Sequence, residues 1–296
     1  MLQTSVIPLV TDHQVLHDHV SLPTRYLPEE NPFETIFVDL THRCNMRCRN
    51  CYIPNRDVPD LNKEWLFDIL RRLPRRTRIR LVGAEPTMRA DLPEIISRVR
   101  ELRHWPMVLT NGLKLAHPDY VAELKRSGLH ICYLSFNGGF HDEYYELIDD
   151  LACARKKRQA LENLVAAHLY ISLGMIIVPG INESAIGEVF RYALEHSPIR
   201  EIHIRSVGAL GRYLPGRAYS LQELVELFQE QTGGYLEPEN ACQVDASEYV
   251  CQYRRGRLKV QMTQWPDLGS RVRGRLALDG TIQPAFEHMM ANEGGY

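Results

Sequence analysis

The chain has 296 residues, of which 44% are hydrophobic, and its 35 Lys and Arg nearly balance its 37 Asp and Glu. This length supports one large α/β domain or two small domains, with a substantial buried core. The formal charge of -2 argues against a sequence-independent nucleic-acid binder, which needs a basic surface. No stretch approaches the ~20 apolar residues of a membrane span, and the N-terminus lacks a signal-peptide pattern. We therefore expect a cytoplasmic protein with no membrane or nucleic-acid partner.

The cysteines and the basic residues are unevenly distributed along the chain. Three of the seven cysteines fall within eight positions, which fits a reduced compartment and a metal site better than a disulfide framework. The densest basic run extends from Arg71 to Arg80, between an apolar helical pattern and a strand pattern. Two interpretations of this run stay open, a solvated helix end and loop or contact with an anionic partner.

The order of secondary-structure patterns divides the chain into three parts. Residues 1–32 show no clean period, and we interpret them as a leader that packs on the main domain. In residues 33–232, apolar strand patterns alternate with helical patterns. The predicted strands are 35–41, 78–84, 106–112, 130–138, 171–180 and 201–207. The predicted helices are 62–73, 92–102, 120–127, 155–168, 183–195 and 221–231, with caps at Asp91 and Asn182.

Six strands that alternate with helices predict an α/β fold of parallel β/α units, either a barrel or a doubly wound sheet. After residue 232 the rhythm changes to short strand-like segments at 257–262 and 273–283, with a turn at Asp279-Gly280. Residues 233–296 are therefore predicted to form a C-terminal tail that caps the active site. In parallel β/α folds, reactive groups gather at the C-terminal ends of the strands.

The loop after the first predicted strand carries Cys44, Cys48 and Cys51, in the sequence CNMRCRNCY. Three thiolates at this spacing can hold one face of a cubane cluster and leave its fourth iron without a protein ligand. A zinc site with His42 as the fourth ligand is one alternative, and three unrelated buried thiols are another.

This loop resembles the CxxxCxxC signature of radical S-adenosylmethionine (SAM) enzymes, and the resemblance covers residues 34–207. The resemblance implies a partial (β/α)6 TIM-type barrel with one [4Fe-4S] cluster on Cys44, Cys48 and Cys51. It implies that SAM binds to the open iron and that an electron donor such as flavodoxin or ferredoxin supplies an electron. The resulting 5′-deoxyadenosyl radical removes a hydrogen atom from the substrate.

Later strand ends resemble the SAM-binding landmarks of this family. In VGAEPT, Gly83 would let the backbone approach SAM closely, and Glu85 would accept a hydrogen bond from its ammonium group. The segments TNG and SFNG place Asn111, Ser135 and Asn137 near the ribose and the carboxylate of SAM. Each segment is equally explained as a turn, because Asn-Gly is a common turn dipeptide.

Two further features belong to the fifth and sixth strands. The segment 174–183, GMIIVPGINE, is similar to the family's fifth-strand motif, whose apolar residues support the adenine. Arg205 on the sixth strand would neutralise the SAM carboxylate, and a surface salt bridge is the alternative.

The remaining cysteines bear on the fate of the substrate radical. Cys132 is interpreted as a core residue, and Cys153 has no evident partner. Auxiliary clusters in related enzymes use six or more additional cysteines, so the two tail cysteines predict a single cluster. A tail thiol can return a hydrogen atom, because an S–H bond is weaker than an alkyl C–H bond. Cys251 is the candidate donor and Cys242 its alternative, although either can be a buried or incidental thiol.

Hydrogen return to the opposite face inverts a carbon, which predicts an epimerase. Chain length, a single cluster and a late cysteine resemble the radical SAM epimerase of aminoglycoside biosynthesis that converts neomycin C to neomycin B. This resemblance implies an amino-sugar substrate, a polycation that carboxylates would bind. The candidate carboxylates are Glu143, Glu146, Asp149 and Asp150, beside Tyr144 and Tyr145, and more weakly Asp245, Glu248 and Glu287.

Other interpretations of these patterns stay open. A solvated helix face is the favoured explanation of the acidic run 141–150. A single-cluster dehydrogenase, a mutase or a peptide-modifying enzyme would use the same cluster. A non-catalytic metal-binding module is an alternative of a different class.

Overall fold

A single sheet organises the part of the chain that this computed structural model describes, which comprises residues 25–51, 53, 56–208, 217–234, 250–263 and 273–284. The strands of this part are β1 (Thr35–Asp39), β2 (Arg78–Val82), β3 (Trp105–Thr110), β4 (Ile131–Ser135), β5 (Tyr170–Ile177), β6 (Ile199–Ser206), β7 (Val250–Arg255), β8 (Leu258–Thr263), β9 (Arg273–Leu276) and β10 (Ile282–Pro284). Its α-helices are α1 (Lys63–Arg72), α2 (Leu92–Glu101), α3 (Pro118–Arg126), α4 (Asp142–Asp149), α5 (Ala154–Ala166), α6 (Ala185–Glu195) and α7 (Leu221–Thr232).

The ten strands follow the order β10-β9-β1-β2-β3-β4-β5-β6-β8-β7. Strands β1 to β6 are parallel neighbours in chain order, and each step is crossed by at least one helix. The tail adds β9 beside β1 and β8 beside β6, both parallel, while β10 and β7 run antiparallel at the two edges. The sheet therefore curves without closing, which confirms the α/β partial barrel.

Side chains alternate between the two faces of each strand, and the two faces differ in composition. The outer face packs on the helices and forms the core, with residues such as Ile36, Ile79, Val108, Leu134 and Leu173 fully buried. The inner face is more polar and remains partly open to solvent. The open positions on this face include Arg80, Met107, Leu109 and Ile176, which retain part of their exposure in central strands.

Helix starts show where local sequence patterns succeed and where they fail. Helix α1 begins as predicted, because Asn62 Oδ1 accepts from the backbone N–H groups of Glu64 and Trp65 at 2.9 and 3.1 Å. Asp91 is the N-cap residue of α2, as predicted, but its side chain makes no capping hydrogen bond, because its carboxylate pairs with Arg89 at 2.7 Å. The predicted cap at Asn182 is wrong. Helix α6 begins at Ala185, and the Asn182 side chain binds strand ends, as described below.

The described parts of the leader and the tail join the first strands. The predicted Asp279-Gly280 turn connects β9 and β10, with Gly280 at φ +84° and Asp279 Oδ1 accepting from Thr281 N at 3.0 Å. Tyr26 forms a bridge to Ile282, so the chain before β1 packs beside β10. Residues 1–24, 264–272 and 285–296 lie outside the described residues, and the capping role of the tail stays a prediction.

Candidate active site

A cavity of about 180 Å³ lies at the C-terminal ends of the parallel strands. It brings together most of the site residues predicted from the sequence. Those residues are Cys44, Cys48, Cys51, Gly83, Asn111, Ser135, Asn137 and Arg205. Because they come from five separate strand ends and loops, only the parallel topology places them around one space.

The cysteine loop supplies three half-buried thiols to this cavity. Nearby N–H groups donate to two of the sulfurs: the Met46 N–H and Asn111 Nδ2 lie 3.3 and 3.7 Å from Cys44 Sγ, and Arg56 Nη2 lies 3.0 Å from Cys51 Sγ. Thiolates bound to iron commonly receive such donors. This donor set therefore fits three ligands of an iron–sulfur cluster.

Burial sets the protonation of the metal-free thiols. It raises the pKa of Cys44, and it raises the pKa of Cys48 well above its ordinary value, with the nearby Asp149 carboxylate adding to the effect. Among the described residues, no three His, Cys, Asp or Glu side chains are close enough to hold one metal ion. A cubane needs no such convergence, since each cysteine binds a different iron.

The loop after β2 packs tightly against the loop after β1. Gly83 has φ +125°, and a Cβ at this position would overlap the Thr41 carbonyl. The backbone N–H groups of Ala84 and Glu85 donate to Thr41 O and Arg43 O at 2.8 and 3.0 Å. Only glycine fits this close approach, so Gly83 fixes the spacing between the cysteine loop and the next strand.

Glu85 is fully buried and is not among the residues that line the cavity. Its carboxylate accepts from Thr87 N and Oγ1 at 3.0 and 2.6 Å, from Thr110 Oγ1 at 2.7 Å and from Asn111 N at 2.7 Å. In this structure Glu85 therefore acts on the site through Thr110 and Asn111. A direct contact with the SAM ammonium group stays a prediction.

Asn137 connects the ends of β4 and β5. Its Oδ1 accepts from Ile176 N at 3.0 Å, and its Nδ2 lies 3.2 and 3.3 Å from the two carboxylate oxygens of Asp149. Asn182, which is fully buried, donates to the Asn137 and Ile176 carbonyls at 2.7 and 2.8 Å and accepts from Val178 N at 2.8 Å. These bonds hold two adjacent strand ends in one arrangement at the cavity.

A buried cation at the cavity wall, Lys157, was not predicted from the sequence, and it lies near the candidate carboxylate Asp149. Lys157 is fully buried, and its Nζ donates to Ser135 O at 2.8 Å and lies 5.3 Å from the centre of the Tyr145 ring. Burial raises the pKa of Asp149, and the charge of Lys157 acts in the opposite direction. The sequence signal for Lys157 is its place among the buried α5 positions Ala160 and Leu164.

The acidic run divides between the cavity and the solvent. Asp149 lines the cavity, and Tyr145 is fully buried, whereas Glu143, Glu146 and Asp150 are exposed. Most of the run thus forms the solvated helix face that was one of its two interpretations.

Arg205 lies on the inner face of β6, and its position depends on a glycine. Its Nη2 donates to Tyr133 Oη at 3.2 Å, and the Tyr133 ring packs edge-on against His203 at 6.4 Å. The ring crosses β5 at Gly174, where a Cβ would overlap the phenol. Arg205 is 9% exposed, so the surface salt bridge considered from the sequence is wrong.

The other cysteines considered from the sequence lie in different environments. Cys132 is fully buried in the core, as predicted, and burial raises its pKa. Cys153 is buried at the start of α5, in a small apolar cluster with Met46 and Tyr145. The backbone of Cys251 lies in β7 opposite Met262, and its side chain lies outside the described residues. Cys242, Asp245, Glu248 and Glu287 also lie outside them.

The fold and the site together define the class: a partial barrel of parallel strands with a three-cysteine loop after its first strand. The chain belongs to the radical SAM superfamily, whose sequence model matches residues 38–193. Enzymes of this superfamily use a [4Fe-4S] cluster and SAM, act on small molecules or peptides, and need a reductant. The chain is therefore a radical SAM enzyme.

Curated relatives have several activities. The chain is 29% identical over 219 residues to the 7,8-dihydro-6-hydroxymethylpterin dimethyltransferase of Methanocaldococcus jannaschii, a match that covers 69% of this chain but 43% of that protein. It is 26% identical over 207 residues to a probable GTP 3′,8-cyclase of Pyrococcus abyssi, covering 67% of this chain and 66% of the relative. The chain thus spans less than two thirds of each. Neither relative is an aminoglycoside epimerase.

Solved structures share the fold. Streptococcus suis SuiB bound to S-adenosylmethionine superposes with a TM-score of 0.66 at 14% identity, over 89% of this chain and 63% of SuiB. A SAM-bound structure titled anSMEcpe superposes with a TM-score of 0.50 at 16% identity, over 68% of this chain and 59% of that one. In the part of the chain that the structure describes, no helix has the length and apolar character to cross a membrane.

Proposed function

We propose that this chain holds a single [4Fe-4S] cluster on Cys44, Cys48 and Cys51 and uses SAM to abstract a hydrogen atom from a small molecule. One observation carries this proposal. The three thiols and the strand-end residues Gly83, Asn111, Ser135 and Arg205 line the same cavity. An iron–sulfur cluster and a bound SAM must be adjacent to react, and a cavity shared by the predicted ligands of both supports the proposal.

When bound, the cluster supplies the electron that cleaves SAM to methionine and a 5′-deoxyadenosyl radical. The residues of the chain bind and orient these groups. Arg56 and Asn111 donate to the cysteine sulfurs, and Glu85 holds the backbone of Asn111 at the cavity edge. The guanidinium of Arg205 would offset the SAM carboxylate, and Asn137 would keep the ends of β4 and β5 aligned at the cavity.

The names of the curated relatives support a small-molecule substrate. One relative is named for a pterin and the other for GTP. SuiB was solved with a precursor peptide, and its likeness to this chain shows the fold alone. We therefore propose a small molecule and keep a peptide as the alternative.

The epimerase outcome remains part of the proposal and awaits its own test. Cys251 would return a hydrogen atom to the substrate radical, and a thiol hydrogen exchanges with solvent. Turnover in D2O would then place deuterium at the inverted carbon with no other change in product mass. A product lighter by two hydrogens would instead identify a dehydrogenase, and a product without solvent deuterium would exclude the thiol donor.

Anaerobic reconstitution tests the central proposal. Wild-type protein is expected to bind about four irons, as a cubane requires, and to form 5′-deoxyadenosine from SAM after reduction. Cys48→Ala should lose the cluster signal in electron paramagnetic resonance and form no 5′-deoxyadenosine. Cys132→Ala is the matched control, because this thiol faces the helices, and it should retain both properties. Zinc binding without SAM cleavage would refute the proposal.

A further inference from the structure

The cysteine loop, residues 41–60, is closed at its base by bonds between its two ends. Leu40 is the last residue before the loop and Leu61 the first residue after it, and the Leu61 N–H donates to Leu40 O at 3.0 Å. One residue further into the loop on each side, the Thr41 hydroxyl donates to the Asp60 carboxylate. The two ends of the segment that carries the three thiols are therefore held side by side.

Arg89 binds both ends of the cysteine loop from a neighbouring loop. Its Nη1 donates to Leu40 O at 2.9 Å and to Leu61 O at 2.6 Å. Its Nε and Nη2 donate to the two carboxylate oxygens of Asp91 at 2.8 and 2.7 Å. Arg89 is 5% exposed, so solvent competes little for these bonds. Charge-assisted bonds of this kind are stronger than those between neutral groups, and the paired Asp91 fixes the direction of the guanidinium.

The loop after β2, to which Arg89 belongs, also contacts the cysteine loop through its backbone. The N–H groups of Ala84 and Glu85 donate to the carbonyls of Thr41 and Arg43, the first and third residues of the cysteine loop. These two bonds hold only the start of that loop. Of the contacts from the loop after β2 described here, those of Arg89 are the ones that join the start of the cysteine loop to its end.

A contact of similar kind at the other end of α1 offers a comparison. Leu61 immediately precedes Asn62, the N-cap residue of α1, so Arg89 supports the beginning of this helix as well as the loop. His104, which is fully buried, donates from Nε2 to Leu70 O in the last turn of α1 at 2.8 Å. His104 therefore supports the same helix without a bond to either end of the cysteine loop.

We propose that Arg89 is a positioning residue for the cluster: it holds the ends of the cysteine loop together so that Cys44, Cys48 and Cys51 remain arranged to bind one cubane. The inference rests on the proposed function, since the cluster belongs to that function. Arg89 is not among the residues that line the cavity, so it acts through the loop and not by contact with SAM or substrate. A loop that is already closed loses less conformational entropy when its side chains bind a ligand.

Release of iron from the reconstituted holoenzyme tests this proposal. A ferrous chelator is added in excess under anaerobic conditions, and the coloured iron complex is followed by absorbance. Arg89→Met should release iron about ten-fold or more faster than the wild type, because it removes charge-assisted bonds at both ends of the loop. His104→Met is the matched control, since it removes a buried bond to α1, and its rate should stay within about two-fold of the wild-type rate.

A second variant keeps the test decisive if Arg89→Met does not fold. Asp91→Asn retains the guanidinium and removes the charge that orients it. Because Asp91 is partly exposed, the expected acceleration of iron release is smaller, about three-fold.

Hydrogen exchange on the full-length chain prepared without iron gives a readout that does not depend on the cluster. The Leu61 N–H bonds to Leu40 O, so its exchange reports opening at the base of the loop. In Arg89→Met this amide should exchange about ten-fold or more faster than in the wild type. In His104→Met its exchange should match the wild type.

Wild-type rates of iron release in Arg89→Met and Asp91→Asn would overturn the inference, as would unchanged exchange of the Leu61 amide in Arg89→Met. Equal acceleration of iron release in Arg89→Met and His104→Met would also overturn it, because the effect would then be a general loss of stability. The iron content of the wild-type preparation separates the two proposals. A wild type that binds no iron–sulfur cluster refutes the proposed function, whereas a wild-type cluster with unchanged release in the Arg89 and Asp91 variants refutes only the role of Arg89.

Discussion

The phenol of Tyr133 lies directly over the backbone of Gly174, so that the side chain of a β4 residue crosses β5 and receives a hydrogen bond from Arg205 on β6 at 3.2 Å. The absence of a side chain at position 174 is therefore what allows a tyrosine to orient an arginine two strands away. This relationship links a glycine with no chemistry of its own to the guanidinium of Arg205, which lines the candidate cavity.

Gly174→Ala should displace Tyr133 and, through it, Arg205. We expect a loss of about 1–3 kcal/mol in the free energy of unfolding, the usual cost of overpacking, with a higher KM for SAM in 5′-deoxyadenosine formation. Chemical denaturation and steady-state assays measure the two effects. In a Tyr133→Ala background the added methyl has room, so the Gly174→Ala penalty on unfolding should largely disappear. Additive penalties would show that the contact is unimportant.

Asn182→Ala should destabilise the strand ends at the cavity. The change leaves the Val178 N–H and two buried carbonyls without the side-chain partner they have in this structure. Because these groups would be left without hydrogen-bond partners, we expect the free energy of unfolding to fall by about 3 kcal/mol or more. Asn163→Ala is the control: it removes a bond to Leu115 O at 2.9 Å and an exposed bond from Gln159, and it should cost about 1 kcal/mol. Equal losses of unfolding free energy in the two variants would contradict the inference that Asn182 holds the strand ends together.

Arg56→Met should lower the reduction potential of the reconstituted cluster. Arg56 Nη2 donates to Cys51 Sγ at 3.0 Å, and removing a positive charge and a donor next to a ligand sulfur disfavours the extra electron of the reduced cluster. A spectroscopic redox titration measures the shift. Arg43→Met is the comparison, because Arg43 lies in the same loop but pairs with Asp60. The idea fails if both variants keep the wild-type potential.

The stability of the fold should fall in acid partly because of His104. Its Nε2 donates to Leu70 O at 2.8 Å in a buried site, and desolvation lowers its pKa from the ordinary 6.5. The unfolded chain therefore binds a proton more readily than the folded chain. This contribution to stability is complete above pH 6.5 and is lost as the pH falls through the lower folded pKa.

Replacing His104 by Gln should accordingly flatten the pH dependence of the unfolding free energy below pH 6.5, as measured by urea denaturation at a series of pH values. His130→Gln, at an exposed position just before β4, should leave that dependence as in the wild type. An unchanged slope in His104→Gln would rule out this source of acid sensitivity.

The sequence alone determined the six parallel strands, most of the helices and the cluster loop. These features depend on local spacing: short apolar runs form buried strands, and three cysteines within eight residues can reach one cluster from a single loop. The strand-end residues Asn111, Ser135 and Arg205 were predictable for a related reason, because parallel strands present their C-terminal ends at one edge. Strand β7 was missed because an edge strand with Gln and Arg lacks the apolar alternation of a core strand.

Only the tertiary structure decided which polar residues face the site and which support it. The Glu85 carboxylate accepts hydrogen bonds from Thr87, Thr110 and Asn111. These groups meet only because separate loops contact one another, and the spacing of residues in the sequence does not predict that contact. Arg80 lies on the inner face because the pairing of β2 with β1 and β3 places alternate residues of β2 on that face. The basic run in the sequence does not indicate which of its arginines lies on the inner face of the sheet. Charge is readable from sequence, but the side of the sheet on which it is buried is a property of the assembled barrel.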